Sequence, residues 1–462
     1  MNELEAVVLA AGQGKRMLSG TPKVLHPAAG RPLVAYPVRA AIEAGASRVV
    51  VVTSPSTRDA VSAALAAALP GADLEFVVQE SPRGTGDAAR VGLTRVRAER
   101  VMILCGDTPL LRSDDLCALV GALEQDPSAR LALLSAHLEE PAGYGRVLRD
   151  PDGRVSAIRE HRDLASDAER AIREVNAGVY VADAAALRDA LARIRSDNAQ
   201  GELYLTDAVA LVSSLALRGD ASALAGVNDR VQLADAEALL YRRVAERHGA
   251  AGVTVRSGAR IDDTVMIEPD AVIESGVVLR GATSVGARAV IDVGSVVTDS
   301  VVGAEAQVKP YSVITSSSVG ERAQIGPFAH LRPDSAIEAE AHIGNFVETK
   351  KTRVRRGAKA NHLAYLGDGD VGEGANVGAG TIFCNYDGFQ KHQTIIGEGA
   401  FIGSDSQLVA PVTVGKQAYV ATGTTVTRDV PDGALAIGRI KQENKAGYAS
   451  RLRARLSAQK RG

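Results

Sequence analysis

A six-residue period runs through the second half of the chain and limits its fold more than any other feature. Aliphatic residues recur at every sixth position from Ile261 to Val297, and the same spacing returns in later runs that end at Ile314, Ile343 and Val426. Neither a heptad nor the 3.6-residue period of an α-helix keeps a six-residue register over this length. A fixed period of this kind is typical of a β-solenoid built from hexapeptide repeats.

Each hexapeptide is expected to form one short strand and one turn, with its aliphatic side chain directed inward. Stacked coils then bury a continuous apolar column that no single coil could bury alone. Glycine often follows the aliphatic residue, as in Val285-Gly286 and Val302-Gly303, which we interpret as tight corners with a positive φ. The alternative is a β-sandwich, whose strands would alternate apolar and polar residues and vary in spacing.

Charge and cysteine content narrow the class of protein. The chain has 462 residues and a net charge of −2, so its charge does not favour nucleic acid as the main partner. Cys105, Cys117 and Cys384 are widely spaced and form no C-x-x-C pair, which indicates neither a disulfide framework nor a zinc site and suits a reducing cytosol. The first residues do not resemble a signal peptide, and no apolar run is long enough for a membrane span. We therefore expect a cytoplasmic protein with no nucleic-acid or membrane partner.

Residues 1–228 alternate short β-rich runs with alanine-rich helical patterns. Strands are predicted at 5–10, 48–53, 74–79, 101–105 and 131–136, with helices between them, as at 56–69 and 87–97. This alternation predicts a Rossmann-like α/β domain with a mostly parallel sheet and helices on both faces. Ligands of such sheets bind at the carboxyl ends of the strands.

The rest of the chain is predicted to hold a linker and a second domain. Residues 229–249 are expected to form a helical linker, with Val231, Ala234, Leu240 and Val244 along its apolar side. Residues 250–462 would then be the all-β hexapeptide-repeat domain. The basic tail from Tyr448 onward is expected to be a mobile, solvated segment, with contact to an anionic cofactor of a neighbouring subunit as the alternative.

A glycine-rich loop directly follows the first predicted strand. L-A-A-G-Q-G-K-R-M runs from Leu9 to Met17, and Pro22-Lys23 comes shortly after it. The glycines let backbone amides approach an anion, and Arg16 and Lys23 add positive charge. The loop lacks the third glycine of a dinucleotide fingerprint and the G-K-[ST] of a P-loop. It therefore indicates another kind of anion site, with a plain turn between strand and helix as the alternative.

A second motif, Cys105-Gly106-Asp107, ends the predicted strand 101–105. A lone aspartate at the carboxyl end of a strand is well placed to hold Mg²⁺, which prefers one or two protein oxygens together with substrate phosphates. The alternative is that Asp107 caps a helix that starts near Ser113.

The six-residue period breaks between Ile343 and Ile396, and polar and aromatic residues are concentrated there. Residues 384–394, C-N-Y-D-G-F-Q-K-H-Q-T, are expected to form an extra loop, because insertions in solenoids fall on one face and often carry function. His362 lies in the same interruption. Histidine suits a general base at neutral pH, and a structural histidine is the alternative.

These motifs together resemble a known family. Those of the first half, which are similar to the motifs of sugar-1-phosphate nucleotidyltransferases, are L-A-A-G-x-G-x-R-M, Pro22-Lys23, Gly84-Thr85, Gly106-Asp107, Gly143-Tyr144-Gly145-Arg146 and Asn176-x-Gly178. With the hexapeptide domain behind them, nearly the whole chain resembles the bifunctional N-acetylglucosamine-1-phosphate uridyltransferase/glucosamine-1-phosphate N-acetyltransferase family. The resemblance implies a left-handed parallel β-helix, a homotrimer with acetyl sites between solenoids, and Mg²⁺ as cofactor.

The implied enzyme acetylates glucosamine-1-phosphate with acetyl-CoA. It then couples the product to UTP, releases pyrophosphate and yields UDP-N-acetylglucosamine for cell-envelope polymers. A single-activity nucleotidyltransferase with a structural solenoid is one alternative, and the His362 region argues against it. A non-catalytic regulatory subunit is another, and Lys23 and Asp107 argue against that one.

The resemblance also implies roles for individual residues. Nucleotide and sugar would be held in the first half by Leu9, Ala10, Ala11, Gly12, Lys23, Gln79, Gly84, Thr85, Gly145, Glu160, Asn176 and Asn228, with Mg²⁺ on Asp107 and Asn228. Arg16 and Lys23 would neutralise charge on the transferred phosphate. In the second half His362 would be the base, with glucosamine-1-phosphate on Arg332, Lys350, Tyr365, Asn376 and Lys391, and acetyl-CoA on Ala379, Asn385, Tyr386, Ser404, Thr422 and Arg439. The chain departs from the family pattern at Cys105, Asn361 and Thr422, where tyrosine, a small residue and alanine are usual.

Overall fold

The computed structural model describes residues 3–12, 14–221 and 226–460, and the chain folds into two compact units. One unit holds the residues up to Glu246 together with Asp262–Thr264, and the other holds Arg247–Ile261 and the residues from Val265 onward. None of the described helices combines the length and the apolar character needed to cross a membrane.

A nine-stranded mixed sheet forms the centre of the first unit. Its strands are β1 (Leu4–Leu9), β4 (Val49–Thr53), β5 (Leu74–Val78), β6 (Arg100–Cys105), β7 (Leu131–His137), β8 (Arg146–Arg149), β9 (Val155–Arg159), β10 (Glu174–Asp183) and β11 (Ser214–Arg218), while β2 (Pro27–Ala28) and β3 (Arg31–Pro32) form a separate hairpin. The order across the sheet is β5-β4-β1-β6-β10-β7-β11-β9-β8.

The expectation of a mostly parallel sheet is only partly correct, because β7 and β11 add one parallel pair to the three of the β5-β4-β1-β6 half, and the other neighbouring pairs are antiparallel. Strands β5, β4, β1 and β6 pair in parallel, whereas β10 is antiparallel to both of its main neighbours, β6 and β7. The predicted strands are the ones that alternate with helices. Strands β8 and β9 instead pair as an antiparallel hairpin, because a short connection permits only that pairing.

Helices cover both faces of this sheet, as predicted. They are α1 (Ala35–Glu43), α2 (Arg58–Ala68), α3 (Thr85–Leu93), α4 (Ser113–Gln125), α5 (Asp167–Ala171) and α6 (Ala184–Arg193), with 3₁₀ turns at Lys15–Met17, Lys23–Leu25, His161–Asp163 and Leu205–Leu211. Val38, Val61 and Leu119 from α1, α2 and α4 belong to one apolar core. Leu93 and Leu187 from α3 and α6 belong to the core on the opposite face.

Helix α7 (Arg230–Ala250) follows the sheet domain. Its residues Ala236 and Leu240 are buried in a cluster with Leu33 and Leu110. The predicted apolar side is partly wrong, because Val231 is 72% exposed. Only the turns of α7 that contact the sheet domain bury their apolar residues. The spacing of apolar residues along the helix does not predict which turns make that contact.

The second unit is a left-handed parallel β-helix with three faces. Face 1 contains Thr254–Val255, Val272–Ile273, Val290–Ile291, Gln307–Val308, Gln324–Ile325, His342–Asn345, Lys359–His362, Asn376–Val377, Phe401–Ile402, Tyr419–Val420 and Leu435–Ala436. Face 2 contains Arg260–Ile261, Val278–Arg280, Val296–Thr298, Val313–Thr315, His330–Leu331, Glu348–Lys350, Tyr365–Gly367, Ile382–Cys384, Gln407–Val409 and Thr425–Val426. Face 3 contains Met266–Ile267, Ser284–Val285, Val301–Val302, Ser318–Val319, Ala336–Ile337, Arg353–Val354, Gly369–Val371, Thr394–Ile396 and Val412–Val414.

The interruption predicted between Ile343 and Ile396 is confined to a single loop. The inward positions of this stretch are all buried, and they are held by Thr349, Val354, Ala360, Leu366, Val371, Val377 and Phe383. The coils therefore continue through it. The six-residue period is not visible in this stretch for two reasons. Polar or small residues occupy some of the inward positions, and some successive inward positions are five residues apart instead of six. The chain leaves the coil only between Cys384 and Thr394.

Most of the glycines that follow inward aliphatic residues are needed for a reason other than the predicted one, and Gly326, with a φ of +89°, is an exception. Gly286 and Gly344 are not among the residues with positive φ, which fall at other turn positions such as Arg288. A Cβ atom on Gly286 would lie 2.6 Å from Ala304 N, and one on Gly344 would lie 1.9 Å from Asn361 O. Glycine is required there because the next coil approaches too closely for any side chain.

The basic tail contains a helix, α8 (Tyr448–Gln459), with no buried residue. A helix was not expected there. The exposure of its side chains agrees with the predicted solvated segment.

Candidate active sites

Three of the predicted residues of the first unit meet at the carboxyl end of β6. Lys23 is in the 3₁₀ turn Lys23–Leu25, Asp107 follows β6, and Asn228 precedes α7. Lys23 Nζ forms an ion pair with Asp107 Oδ2 and lies 3.4 Å from Asn228 Oδ1. Arg16 Nη2 donates to the same Oδ1 at 2.8 Å. The structure thus brings two oxygen ligands and two cationic groups to one point.

Backbone hydrogen bonds hold these segments together. Gly106 N donates to Leu9 O at 2.9 Å, and Val227 N donates to Asp107 O at 2.8 Å. The alternative role of Asp107 as a helix cap is wrong, because among the described residues no side chain caps the N-terminus of α4.

This cluster fits a divalent cation. The Lys23 ammonium lies between Asp107 Oδ2 and Asn228 Oδ1 and so marks a position at which a cation contacts both oxygens. No group of three or more His, Cys, Asp or Glu side chains among the described residues could hold a metal ion. One carboxylate and one amide oxygen suit a cation that takes its remaining ligands from phosphates and water, as Mg²⁺ does.

A cavity of about 570 Å³ opens beside this cluster, within the size range of small-molecule sites. The predicted nucleotide residues that line it are Leu9, Ala11, Gly12, Lys23, Gln79, Gly84 and Thr85, together with Asp107. Ala10 is 2% exposed and lies outside the lining. Lys15, Pro82 and Glu202 line the cavity and were not predicted. Lys15 occupies a variable position of the glycine-rich motif, and Pro82 and Glu202 lie outside the quoted motifs.

Gly84 is fixed by a close approach as well as by its backbone angle. Its φ is +107°, and a Cβ atom would lie 2.5 Å from Leu203 O. Gly86 N also donates to Leu203 O, at 2.8 Å. The turn before α3 therefore packs against the segment that contains Leu203, and this contact shapes one wall of the cavity.

Cys105 also lines the cavity, at the position where the family usually has tyrosine. Burial, together with the neighbouring Asp107 carboxylate, raises the pKa of the Cys105 thiol to about 12. Cys105 Sγ donates to Gly178 O at 3.6 Å. The thiol therefore stays protonated at neutral pH and serves as a weak hydrogen-bond donor.

The predicted sugar residues Gly145, Glu160 and Asn176 lie together. Asn176 N donates to Gly145 O at 2.9 Å, and a Cβ atom on Gly145 would lie 3.4 Å from Glu160 Oε1. Thr206 Oγ1 donates to that Oε1 at 3.0 Å. Burial raises the pKa of Glu160. Asn176 Nδ2 donates to Tyr180 OH at 2.7 Å, which orients the amide.

A second cavity, of about 600 Å³, is lined by Glu160 and Arg16. Arg16 also contacts Asn228, so this cavity is connected to the cation cluster by one side chain. His161, Arg162 and Gln200 line it too, and the sequence did not single them out.

In the second unit, one corner between faces 1 and 2 carries His362 and several predicted acetyl-CoA residues. Asn345 and His362 are paired in register on adjacent coils. The following coils keep one register through Ala360, Val377, Ile402 and Val420. Two residues further along each of these coils come His362, Ala379, Ser404 and Thr422, so we place them in the same column. We call Asn345, His362, Ala379, Ser404 and Thr422 the base column.

His362 is oriented by a neighbour that the sequence did not reveal. His362 Nδ1 lies 2.8 Å from Asn345 Oδ1. A side-chain amide oxygen can only accept, so the imidazole carries its hydrogen on Nδ1 and leaves Nε2 as a free acceptor. The imidazole is exposed. A base with this tautomer can take a proton through Nε2.

The predicted phosphate-binding residues lie at the other end of face 2. The nearby Lys391 ammonium lowers the pKa of Lys350 by repulsion between two like charges, which indicates two neighbouring cationic groups. Register pairs Lys350 with Gly367, two residues beyond Tyr365. Arg332 Nη1 donates to Glu348 Oε1 at 2.7 Å, beside the same group. We call Arg332, Lys350, Tyr365 and Lys391 the cationic column.

Residues 384–394 form a compact hairpin that carries Lys391. Tyr386 and Lys391 form an antiparallel bridge. The backbone N–H of Gln390, the His392 side chain and a further backbone N–H lower the pKa of Asp387. Asn385 Nδ2 donates to Asp368 Oδ2 at 2.5 Å. These bonds give the loop a defined shape.

The remaining predicted residues lie apart from both columns or at one edge of them. Asn376 lies on face 1, in register with Lys359 and Phe401. Arg439 Nη1 donates to Thr422 O at 2.9 Å, so Arg439 is attached to the end of the base column.

Comparison with known proteins agrees with this geometry. The MobA-like NTP transferase domain model matches residues 6–205. A protein named bifunctional protein GlmU from Sorangium cellulosum (strain So ce56) is 63% identical over 98% of this chain and 97% of its own. Proteins of the same name from Anaeromyxobacter sp. (strain Fw109-5) and Geobacter sulfurreducens (strain ATCC 51573 / DSM 12127 / PCA) are 52% and 47% identical, over 99% and 98% of this chain and 94% and 100% of their own.

A nucleotidyltransferase domain followed by a hexapeptide β-helix defines a class of transferases that act on sugar phosphates. Within that class, the chain belongs to the bifunctional GlmU family. It is a bifunctional enzyme of UDP-N-acetylglucosamine biosynthesis, with uridyltransferase and N-acetyltransferase activities on small-molecule substrates. The single-activity enzyme and the regulatory subunit are not favoured.

Proposed function

We propose that the two activities use separate sites, one in each compact unit, and that the residues described above perform them. The cluster of Lys23, Asp107 and Asn228 beside the nucleotide cavity would transfer UMP from UTP to N-acetylglucosamine-1-phosphate. The base column and the cationic column would acetylate glucosamine-1-phosphate. Two observations support this proposal. In the first unit, cationic side chains and oxygen ligands converge beside the nucleotide cavity. In the second unit, Asn345 orients the imidazole of His362.

For uridyl transfer, the attacking phosphate oxygen is already ionised at neutral pH, so no general base is required. Catalysis then depends on an in-line pose and on neutralising charge at the α-phosphate of UTP. Arg16 and Lys23 supply positive charge at that point, and Gly145, Glu160 and Asn176 hold the sugar. Mg²⁺, when bound to Asp107 and Asn228, would neutralise the phosphates and leaving pyrophosphate.

For acetyl transfer, the glucosamine ammonium must lose a proton before its nitrogen can attack the thioester of acetyl-CoA. His362 Nε2 would accept that proton, because the hydrogen on Nδ1 is held by Asn345. Arg332, Lys350 and Lys391 would bind the sugar phosphate as charge-assisted donors. Ser404, in the base column, would stabilise the oxyanion of the tetrahedral intermediate.

Two variants test the assignment of sites. Asp107→Ala should abolish UDP-sugar formation and spare acetyl transfer. His362→Ala should do the reverse. Each variant would be incubated with glucosamine-1-phosphate, acetyl-CoA, UTP and Mg²⁺, and the products would be followed by mass spectrometry. Normal uridyl transfer by Asp107→Ala would refute the metal site, and wild-type acetylation by His362→Ala would place the base elsewhere.

We further propose that the enzyme is a homotrimer whose acetyl sites form between chains. His362 and Gly367, which marks the cationic column, are five residues apart on one coil. The chain turns a corner at Leu363 between them, so the base and the cationic residues of one chain lie on different faces of the coil. A second copy that presents its base column to the cationic column would complete the site.

An exposed apolar column beside the base column supports this arrangement. Tyr311, Phe328 and Phe346 stack in consecutive coils with ring centroids 5.5 Å apart. Their exposed fractions are 53%, 48% and 56%. Contiguous exposed aromatic surface is typical of a protein contact, and Phe346 directly follows Asn345.

Complementation tests the shared site. His362→Ala and Lys391→Ala chains would be co-expressed, and the mixed oligomers would be assayed for acetylation. If His362 and Lys391 of one site come from different chains, random mixing restores about a quarter of the wild-type rate, whereas sites within one chain give none. Light scattering should report the mass of three chains. We assign the enzyme to the cytoplasm, where UTP and acetyl-CoA are available.

A further inference from the structure

The side-chain amide of Gln79 lines the nucleotide cavity in a single defined orientation. Nε2 donates to Gly84 O at 3.1 Å and to Asp87 Oδ2 at 3.0 Å, so both amide hydrogens are used. Oε1 accepts no hydrogen bond from the described residues. It is also not one of their enclosed, unpaired polar atoms. Gln79 therefore presents the cavity with a lone hydrogen-bond acceptor.

Asp87 acts together with the Gly84 carbonyl to keep the amide from flipping. The two neighbours of Nε2 are a carbonyl and a carboxylate, and neither has a hydrogen to donate. A flipped amide would set Oε1 against both oxygens and leave three acceptors in contact. Asp87 is 6% exposed, so water has little access to hydrogen-bond these oxygens and reduce the free-energy cost of their repulsion.

The surroundings of Asp87 stabilise its negative charge. Asp87 lies in the first turn of α3, where the helix dipole favours an anion. Arg90 Nη2 donates to Asp87 Oδ1 at 2.5 Å. One carboxylate oxygen is thus bound to Arg90, and the other remains directed at Gln79.

We propose that Asp87 is a positioning residue that sets the pyrimidine specificity of uridyl transfer. The proposal rests on the proposed function, in which Gln79 contacts the base of UTP. Uracil carries a donor at N3, whereas cytosine carries an acceptor there. With Oε1 held toward N3, uracil gains a hydrogen bond and cytosine meets a second acceptor. Sites that hydrogen-bond their substrate in this way reject analogues by large factors.

Asp87→Asn tests this role with almost no change in shape. Asparagine can turn either its carbonyl or its NH₂ group toward Gln79, so only Gly84 O still opposes the flip and the flipped Gln79 amide becomes more populated. The flipped amide offers the cavity a donor, which matches N3 of cytosine. The kcat/KM of the full-length enzyme would be measured for UTP and for CTP, with N-acetylglucosamine-1-phosphate as acceptor.

The wild-type enzyme should prefer UTP over CTP by more than about a hundredfold, and Asp87→Asn should reduce that ratio at least about tenfold. A merely structural role would lower both values and leave the ratio unchanged, which would overturn the proposal. Arg90→Ala is the matched control, because it changes the same network but keeps the contact between Asp87 and Gln79. Its ratio should stay near the wild-type value.

A reciprocal exchange provides a second test. Gln79→Glu alone sets two carboxylates against each other and should lose activity with UTP. In the double variant Asp87→Asn/Gln79→Glu, the amide at position 87 donates to the carboxylate at position 79, which again presents an acceptor to the cavity. The preference for UTP should return to within about threefold of wild type.

These measurements test the uridyltransferase assignment and the role of Asp87 separately. A wild-type enzyme that does not use UTP would refute the uridyltransferase assignment. A wild-type enzyme that prefers UTP, together with an Asp87→Asn variant that keeps this preference, would refute only the role of Asp87. Acetyltransferase activity of the same chains reports that the protein is folded. If Asp87→Asn does not fold, recovery in the double variant supports the role and failure to recover overturns it.

Discussion

The hydrogen bond between Asn345 and His362 leads to a quantitative prediction for acetyl transfer. Asn345→Ala removes the acceptor for the Nδ1 hydrogen, so the tautomer with a free Nε2 loses its preference. A neutral hydrogen bond contributes a net stabilisation of about 1 kcal/mol. At about 1.4 kcal/mol per tenfold change in rate, kcat/KM for acetylation should fall roughly fivefold to tenfold. Uridyl transfer should not change.

Asn345→Asp should act in a different way. A carboxylate at the same distance keeps the acceptor for the Nδ1 hydrogen and adds a negative charge beside the imidazole. That charge favours the protonated ring, so the acidic limb of the pH profile of kcat/KM should move to higher pH. The bond therefore predicts a loss of rate in one variant and a shift in pH dependence in the other.

Both variants can be assayed by the thiol that acetyl-CoA releases, between pH 5.5 and 9. Asn361→Ala is a suitable control, since it removes another asparagine next to His362 whose side chain makes no hydrogen bond to the described residues. An Asn345→Ala enzyme with an unchanged rate, or an Asn345→Asp enzyme with an unchanged pH profile, would show that Asn345 does not set the tautomer of the base.

Three further predictions concern packing and charge. Phe383 is 1% exposed inside the solenoid, so Phe383→Ala should lower the free energy of unfolding by about 3–5 kcal/mol, measured by denaturant titration; a loss below 1 kcal/mol would show that the coil repacks. Gly84→Ala sets a Cβ atom against Leu203 O and should raise KM for UTP at least about tenfold, whereas Gly121→Ala, which has open space, should leave it unchanged and stabilise α4 by about 0.5–1 kcal/mol; equal KM values for the two would contradict the packing argument. Burial raises the pKa of Glu160 above its ordinary 4.5, so the folded chain binds this proton more tightly and the stability contributed by Glu160 falls as pH rises from 4.5 through the raised value. Glu160→Gln should remove this slope from stability measured across that range and weaken binding of N-acetylglucosamine-1-phosphate, and a slope unchanged in the variant would rule Glu160 out as its source.

The residues that the sequence identified share one property. Lys23, Asp107 and His362 occur in short contiguous motifs, where residue types that carry chemistry stand next to glycine turns or in a conspicuous stretch of a repeat. The solenoid itself was readable because its inward side chains recur at a fixed spacing and must be apolar. Thr349 and Ala360 were missed for the same reason, since a polar or small side chain can fill an inward position once the coils above and below are in place.

The sequence by itself determined the order of the two domains, the repeat fold and the classes of chemistry, because these depend on local composition and spacing. Only the tertiary structure decided which side chains meet. Asn345 reaches His362 from the preceding coil, and Asp87 turns the Gln79 amide, through contacts between segments whose register is set by packing. Hydrogen-bond direction depends on distances of about 3 Å, and no pattern along the chain specifies positions that closely.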